Sequence, residues 1–333
     1  MQHVRKTARP ALEPSPFASC PGDTLRAILC HLYDPVFPAD AAFFASTCKD
    51  ARALAWDALT ELKVDAHAVR SFYKVVCRAN EVTKLWKRSS LTRLNTMNLL
   101  ANNHLAQQGL WIACARGAME QLCHLDLSFN KIGDLGVTSL SEVCASGALA
   151  NCTELWLDRN QIGDDGLSAL ADACAKGALA SVTHLFLADN QIGDAGVEAL
   201  AKACASGALG SCHTFYLFQN QIGDAGVEAL ASACARGALP KLVQLSLGGN
   251  QIGDTGVTAL ADACARGALP GLVQLRLDEN QIGDPGLISL SQALASGSLP
   301  AIWLVDLSGN PASDEAQQVV DTIIEARGIY IDL

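Results

Sequence analysis

The chain lacks any long apolar run. None of its 333 residues lies in the eighteen or so uninterrupted apolar positions that a membrane-spanning helix needs, and the basic opening from Met1 to Pro10 leads into no apolar signal segment. A membrane partner is therefore not expected, and the expected compartment is cytoplasmic or nuclear. The acid-free start up to Glu13 also fits a short mitochondrial presequence. Basic residues are scarce over most of the length. Residues 1–93 carry 14 Lys and Arg against 9 Asp and Glu (net +5), while residues 94–333 carry 10 against 25 (net −15), together the chain's −10. So acidic a surface excludes nucleic acid as the main ligand, because phosphate binding needs a basic face. Cysteines at closely paired zinc spacing are missing too, as are glycines at phosphate-loop spacing. No singular set of nucleophile, acid and base stands out. These absences predict a protein with no catalytic residues, no cofactor and no resident metal.

What the chain does have is a period. Asn130, Asn160, Asn190, Asn220, Asn250, Asn280 and Asn310 recur at a constant interval of thirty, each just after Leu-x-Leu or a close variant, and the first six are followed after one residue by Ile-Gly-Asp. A repeat of this size marks a solenoid, whose units cannot bury their own apolar faces and must stack on their neighbours. Of the 13 cysteines, Cys114, Cys144, Cys174, Cys204, Cys234 and Cys264 keep the same interval. Equivalent positions on neighbouring helices lie about a helix diameter apart, too far for a disulfide, so these residues read as small buried hydrophobes.

Residues 122–151 serve as the type unit. Leu125 and Leu127 face the core at strand spacing, while His124, Asp126 and Ser128 alternate to the open side. A column of asparagine amides can satisfy backbone groups left unpaired where each strand bends away. Asp134 reads as the N-cap of its own helix, a reading helped in the sixth unit by Asp284-Pro285. Val137, Leu140 and Cys144 follow on the inward helical face, and Gly147 ends the helix in the left-handed region.

This phrase closely resembles leucine-rich repeats of the ribonuclease-inhibitor-like class, over residues 119–310. The resemblance implies an α/β solenoid: a horseshoe with a parallel sheet on the concave face and helices on the convex face. Residues 59–118 read as degenerate capping repeats. Within them Leu59-x-x-Leu62-x-Val64 repeats the strand pattern, and Asn95, Met97 and Leu110 fall one full period before Leu125, Leu127 and Leu140. Residues 311–333 read as a C-terminal cap, with a helix from Ser313 and a short last strand after Gly328.

Because the units are near-copies, the columns that vary carry information. The outward strand column reads Asp126, Trp156, Phe186, Tyr216, Ser246, Arg276, Asp306. Neighbouring strands lie about 4.8 Å apart, so Trp156, Phe186 and Tyr216 should form an aromatic ladder on the concave face, extended by Phe129 and Phe218. Arg159, Arg276, Asp126, Asp158 and Asp189 surround it. Exposed aromatics and Arg are the residues most enriched at protein–protein hot spots, so this face is the expected site for a protein partner. A second column, His124, Glu154, His184, reads as a hydrogen-bonded polar row rather than a zinc site, since three ligands in a line suit a tetrahedral ion poorly.

Residues 1–18, with Pro10, Pro14 and Pro16, predict a disordered tail. Residues 19–58 form an α-helical N-terminal head that resembles an F-box, the module that docks an Skp-type adaptor of cullin ubiquitin ligases. Pro21, Leu25, Ile28, Leu29, Leu32 and Phe44 occupy its adaptor-facing places, with Cys48 and Leu54 at matching positions. The expected function is non-enzymatic protein recognition through the concave face, and what the F-box resemblance implies is a substrate receptor of a cullin ubiquitin ligase. The alternatives are a free-standing scaffold or inhibitor-like binder whose head is only a cap, and a Ran-type GTPase activator, which uses similar repeats.

Overall fold

The computed structural model describes residues 61–65, 96–100 and 122–332. The head at 19–58, with Pro21, Leu25, Ile28, Leu29, Leu32 and Phe44, lies outside the described residues, as do the tail at 1–18 and the positions Leu110 and Cys114.

One parallel sheet runs through everything described, its ten strands in sequence order. They are β1 (Glu61–Asp65), β2 (Thr96–Leu100), β3 (His124–Asp126), β4 (Glu154–Trp156), β5 (His184–Phe186), β6 (Thr214–Tyr216), β7 (Gln244–Ser246), β8 (Gln274–Arg276), β9 (Leu304–Asp306) and β10 (Tyr330–Asp332). From β3 onward a helix follows each strand but the last: α1 (Gly133–Ala145), α2 (Asp164–Ala175), α3 (Asp194–Ala205), α4 (Asp224–Ala235), α5 (Asp254–Ala265), α6 (Asp284–Ala295) and α7 (Asp314–Arg327). Each helix packs on the next, so the chain is an α/β solenoid with sheet on one side and helices on the other.

The core forms between these layers. In the type unit Leu122, Leu125 and Leu127 from the strand side meet Val137, Leu140 and Cys144 from the helix, all 2% exposed or less. The constant period makes this pattern a continuous apolar column, each leucine stabilising the stack by about 1.5–3 kcal/mol through burial. Where α6 has Leu294 in place of the recurrent cysteine, the larger side chain is equally buried. Burial pushes the thiols of Cys174, Cys204 and Cys234 up to about 12, which leaves them without reactive thiolate at neutral pH.

The asparagine column does what its amide chemistry predicts. Asn220 Nδ2 donates to the carbonyls of Leu187 and Leu217 at 3.0 Å and of Phe218 at 3.3 Å, while its Oδ1 accepts from the N–H of Ile192 at 3.1 Å. One side chain thus ties its own turn to the preceding one.

The aspartate column corrects the local reading. Asp194 is the first residue of α3, but its carboxylate does not cap α3. The backbone N–H groups of Gly223 and Gly226, at the start of α4, donate to Asp194 Oδ1 at 2.7 and 2.9 Å. Asp134, Asp164, Asp224 and Asp254 act in the same way on the next helix along. Helix stacking places each carboxylate nearer to its neighbour's free N–H groups than to its own. The two glycines of Ile-Gly-Asp-x-Gly make room for it: a Cβ on Gly226 would stand 2.7 Å from Asp194 Oδ1.

The last unit confirms this by exception. Ser313 and Ala316 replace the two glycines; Ser313 still donates its N–H to Asp284, but the N–H of Ala316 turns to the Ser313 hydroxyl at 3.3 Å. At the other end no Asp occurs between residues 66 and 125, so the sequence gives α1 no preceding aspartate of this kind. Its start is irregular, with Gly133 in the left-handed region at φ 59°.

A second correction concerns β2. Met97 pairs with Leu125, not with Leu127, so this strand stands two positions short of a full period before β3. A slip of two keeps the phase of the strand's two-residue repeat.

Candidate protein-recognition face

The open side of the sheet carries three columns, at the positions of His124, Asp126 and Ser128. Alternation decides which aromatics reach it. In Phe215-Tyr216-Leu217-Phe218, Phe215 is 1% exposed in the core, whereas Tyr216 and Phe218 are half-buried on the open side.

Strand register brings Trp156, Phe186 and Tyr216 side by side. The Trp156 and Phe186 ring centroids are 4.2 Å apart at 34°, and those of Phe186 and Tyr216 are 5.1 Å apart, edge to face at 83°. Such pairs add about 0.5–1.5 kcal/mol beyond their burial. Each end is anchored by a polar tip. Trp156 Nε1 donates to Glu154 Oε2 at 3.3 Å, and the Tyr216 hydroxyl donates to Gln244 Oε1 at 3.1 Å. Trp156 is 36% exposed and forms the open end of the ladder.

Phe129 stands at the loop beyond the strand, 53% exposed, with the guanidinium of Arg159 4.9 Å over its ring. Arg159 Nε also donates to Asp189 Oδ2 at 3.1 Å. Arg276 is similarly engaged: its Nη2 donates to Asp306 Oδ2 at 2.8 Å and its Nε lies 3.5 Å from Asp278 Oδ1. Both guanidiniums that the sequence singles out are therefore held by carboxylates of this chain.

Asp158 has the most perturbed carboxyl on the face. Burial pushes it up to about 6; the Ala188 N–H bond and Arg159 oppose that rise, and Asp126 and Asp189 add to it. Burial also raises Asp278, with Asp306 adding and Arg276 opposing.

The histidine row is hydrogen-bonded. His124 Nδ1 lies 3.0 Å from Glu154 Oε2, and His184 Nδ1 shares a hydrogen bond with the Thr183 hydroxyl at 2.8 Å. Among the described residues no three metal-capable side chains converge, and no helix is long and apolar enough to cross a membrane.

Three features escape sequence reasoning. Gln219 Nε2 reaches across Gly249 to Glu279 Oε2 at 3.0 Å, a bridge that any Cβ on Gly249 would block. The Ser128 hydroxyl, on the open face in the column of Asp158, is buried and has no hydrogen-bond partner. Trp303 and Tyr330, both exposed, stack at 6.4 Å where β9 meets β10. Only Trp303 left a trace in the sequence, as a lone aromatic in a column that otherwise reads Cys123, Thr153, Thr183, His213, Val243, Val273.

A leucine-rich-repeat family model matches residues 122–141, 153–171, 178–201, 213–231, 238–261 and 271–291. Among solved structures the chain is similar to an internalin from Listeria monocytogenes, at 17% identity over 84% of this chain and 88% of that one, with a TM-score of 0.44. It is similar also to a plant ice-binding protein, at 18% identity over 76% of this chain and 65% of that one, with a TM-score of 0.39. A third is the LRIM1/APL1C complex, at 15% identity over 50% of this chain and 25% of that one, with a TM-score of 0.30. No curated protein matches the sequence.

Proposed function

We propose that this chain, which carries leucine-rich repeats, is a non-enzymatic recognition protein that holds a protein partner on its concave sheet face. One observation carries the reading. The turn and helix of each unit are nearly invariant, while the open strand column changes at every step and gathers Trp156, Phe186 and Tyr216 into one partly exposed ladder. Repetition maintains the scaffold; the variation sits where a partner can touch it. Exposed rings in contact are the usual core of a binding hot spot.

The test is proximity labelling around the full chain and around the Trp156→Ala, Tyr216→Ala double variant. The labelled partners should be lost while the melting temperature changes little. An unchanged partner set would refute the assignment.

A finer reading places the chain in the ribonuclease-inhibitor-like class, supported by the full helix in six consecutive units, and makes it a substrate receptor of a cullin ubiquitin ligase. The ligase role rests on the F-box resemblance of residues 19–58 alone. Co-purification with an Skp-type adaptor tests it: Leu25→Asp with Ile28→Asp should abolish adaptor capture. Unchanged capture, or none by the native chain, favours the scaffold or inhibitor-like alternative, in which the head is a cap. The Ran-type activator reading rests on repeat class only and predicts faster GTP hydrolysis by Ran.

A further inference from the structure

We propose that the Trp156 end of the ladder receives an arginine side chain from a basic segment of the protein partner. The inference rests on the recognition reading above and names the chemistry of what is recognised.

The argument begins with charge. Asp126 lies beside Trp156 in the strand register, Glu154 accepts the Trp156 indole N–H, and Asp158 and Asp189 follow on the same face. Among the described residues, these four carboxylates face Arg159, whose Nε already donates to Asp189, and His124, whose Nδ1 lies 3.0 Å from Glu154. Burial pushes Asp158 up to about 6, and Asp126 and Asp189 add to that rise, while the Ala188 N–H and Arg159 oppose it. An arriving cation relieves that repulsion; an arriving anion adds to it.

Aromatic geometry supplies the second element. A guanidinium within about 6 Å of a ring face is attracted by the ring quadrupole, most strongly to an indole. The chain displays this arrangement internally, with Arg159 4.9 Å over Phe129 and a carboxylate at its side. Trp156 has the same components, an exposed ring flanked by carboxylates, and among the described residues the cation–ring pair is at Phe129 rather than here. Arginine suits the place better than lysine because its plane stacks on a ring while its edge donates to carboxylates. The third element is the Ser128 hydroxyl, 5% exposed and without a partner, on the same face in the column of Asp158. An unpaired buried hydroxyl is costly, and a donor that reached it would relieve that cost.

The experiment is calorimetric titration of the full chain with three probes: a short arginine-rich peptide, the same peptide with citrulline for arginine, and an acidic peptide of equal length. The arginine peptide should bind, should weaken as salt is added, and should bind about tenfold more tightly than the citrulline peptide. Trp156→Ala and Asp158→Asn should each lose about tenfold in affinity for it, with the fold checked by circular dichroism. Asparagine at 158 keeps an acceptor for the Ala188 N–H, so that variant removes charge without removing the bond.

Equal binding of the citrulline or acidic peptide would overturn the proposal. So would arginine-peptide binding that both variants leave intact, because the peptide would then be held elsewhere on an acidic chain. If no peptide binds but proximity labelling still depends on Trp156 and Tyr216, the basic class falls and the recognition reading stands. If labelling is independent of the rings as well, both fall.

Discussion

Replacing Asp194 by alanine should damage the helix after it and spare its own. In the folded chain Asp194 Oδ1 receives the N–H groups of Gly223, the N-cap of α4, and Gly226, in its first turn, at 2.7 and 2.9 Å. Alanine removes the acceptor and leaves two part-buried donors unsatisfied. A hydrogen bond to a charged group contributes about 1.5–3 kcal/mol, and loss of a capping side chain costs about 0.5–2 kcal/mol. These overlap, so the expected loss is about 2–3 kcal/mol, with Asp194→Asn losing about half because it keeps an acceptor but not the charge. The assay is native-state hydrogen exchange. A local loss of about 2 kcal/mol accelerates exchange roughly thirtyfold at Gly223 and Gly226. The amides of Gly193 and Gly196, held by Asp164, should exchange as before. Faster exchange at Gly193 and Gly196 instead would mean that Asp194 caps its own helix, and the inter-unit account would be wrong. A double-mutant cycle adds a second check. A Cβ at residue 226 meets Asp194 Oδ1 at 2.7 Å, so Gly226→Ala should cost less in the Asp194→Ala background, the two losses falling short of their sum by about 1 kcal/mol.

Other expectations follow from the same geometry. Asn220→Ala leaves the carbonyls of Leu187 and Leu217 and the N–H of Ile192 without their side-chain partner, and should cost at least about 3 kcal/mol in urea unfolding. A loss below about 1 kcal/mol would mean that water replaces the amide. For Asp158, the folded chain binds the proton more tightly than the unfolded chain, because its carboxyl is raised from 3.8 to about 6. The associated stability is full below about pH 4 and is lost as pH rises through about 6. Asp158→Asn should therefore be the more stable form above pH 6, by about 1–2 kcal/mol after solvent screening, and should flatten the pH 4–6 slope of unfolding free energy. Identical slopes for the two proteins would refute this. Finally, Cys174, Cys204 and Cys234 should resist alkylation at pH 8 until the chain unfolds, as mass spectrometry of labelled peptides would report; rapid labelling in the native state would contradict their burial.

The Trp156 ladder was legible without coordinates because a constant period forces equivalent residues onto adjacent strands, and β4, β5 and β6 pair in that register. The two arginines beside it were legible as positions but not as states. Whether a guanidinium is open to a partner depends on carboxylates one full period away, and Arg159 with Asp189 and Arg276 with Asp306 are both such pairs. The unpartnered Ser128 hydroxyl left no signal at all, since burial of one atom is a property of the packed face.

By itself the sequence determined the solenoid, the inward leucines and cysteines, and the asparagine column, because each follows from periodicity and from the hydrogen-bonding capacity of one residue type. Only the tertiary structure decided which helix each aspartate serves. The first-turn carboxylate satisfies the local rule for a cap and also has neighbouring N–H groups within reach, separated from it by 29 and 32 residues in the chain. Stacking distance chooses between them, and glycine at both receiving positions lets the carboxylate in. The register of β2 belongs to the same category: a strand pattern tolerates a slip of two, and contact with β3 selects the shortened spacing over the full period.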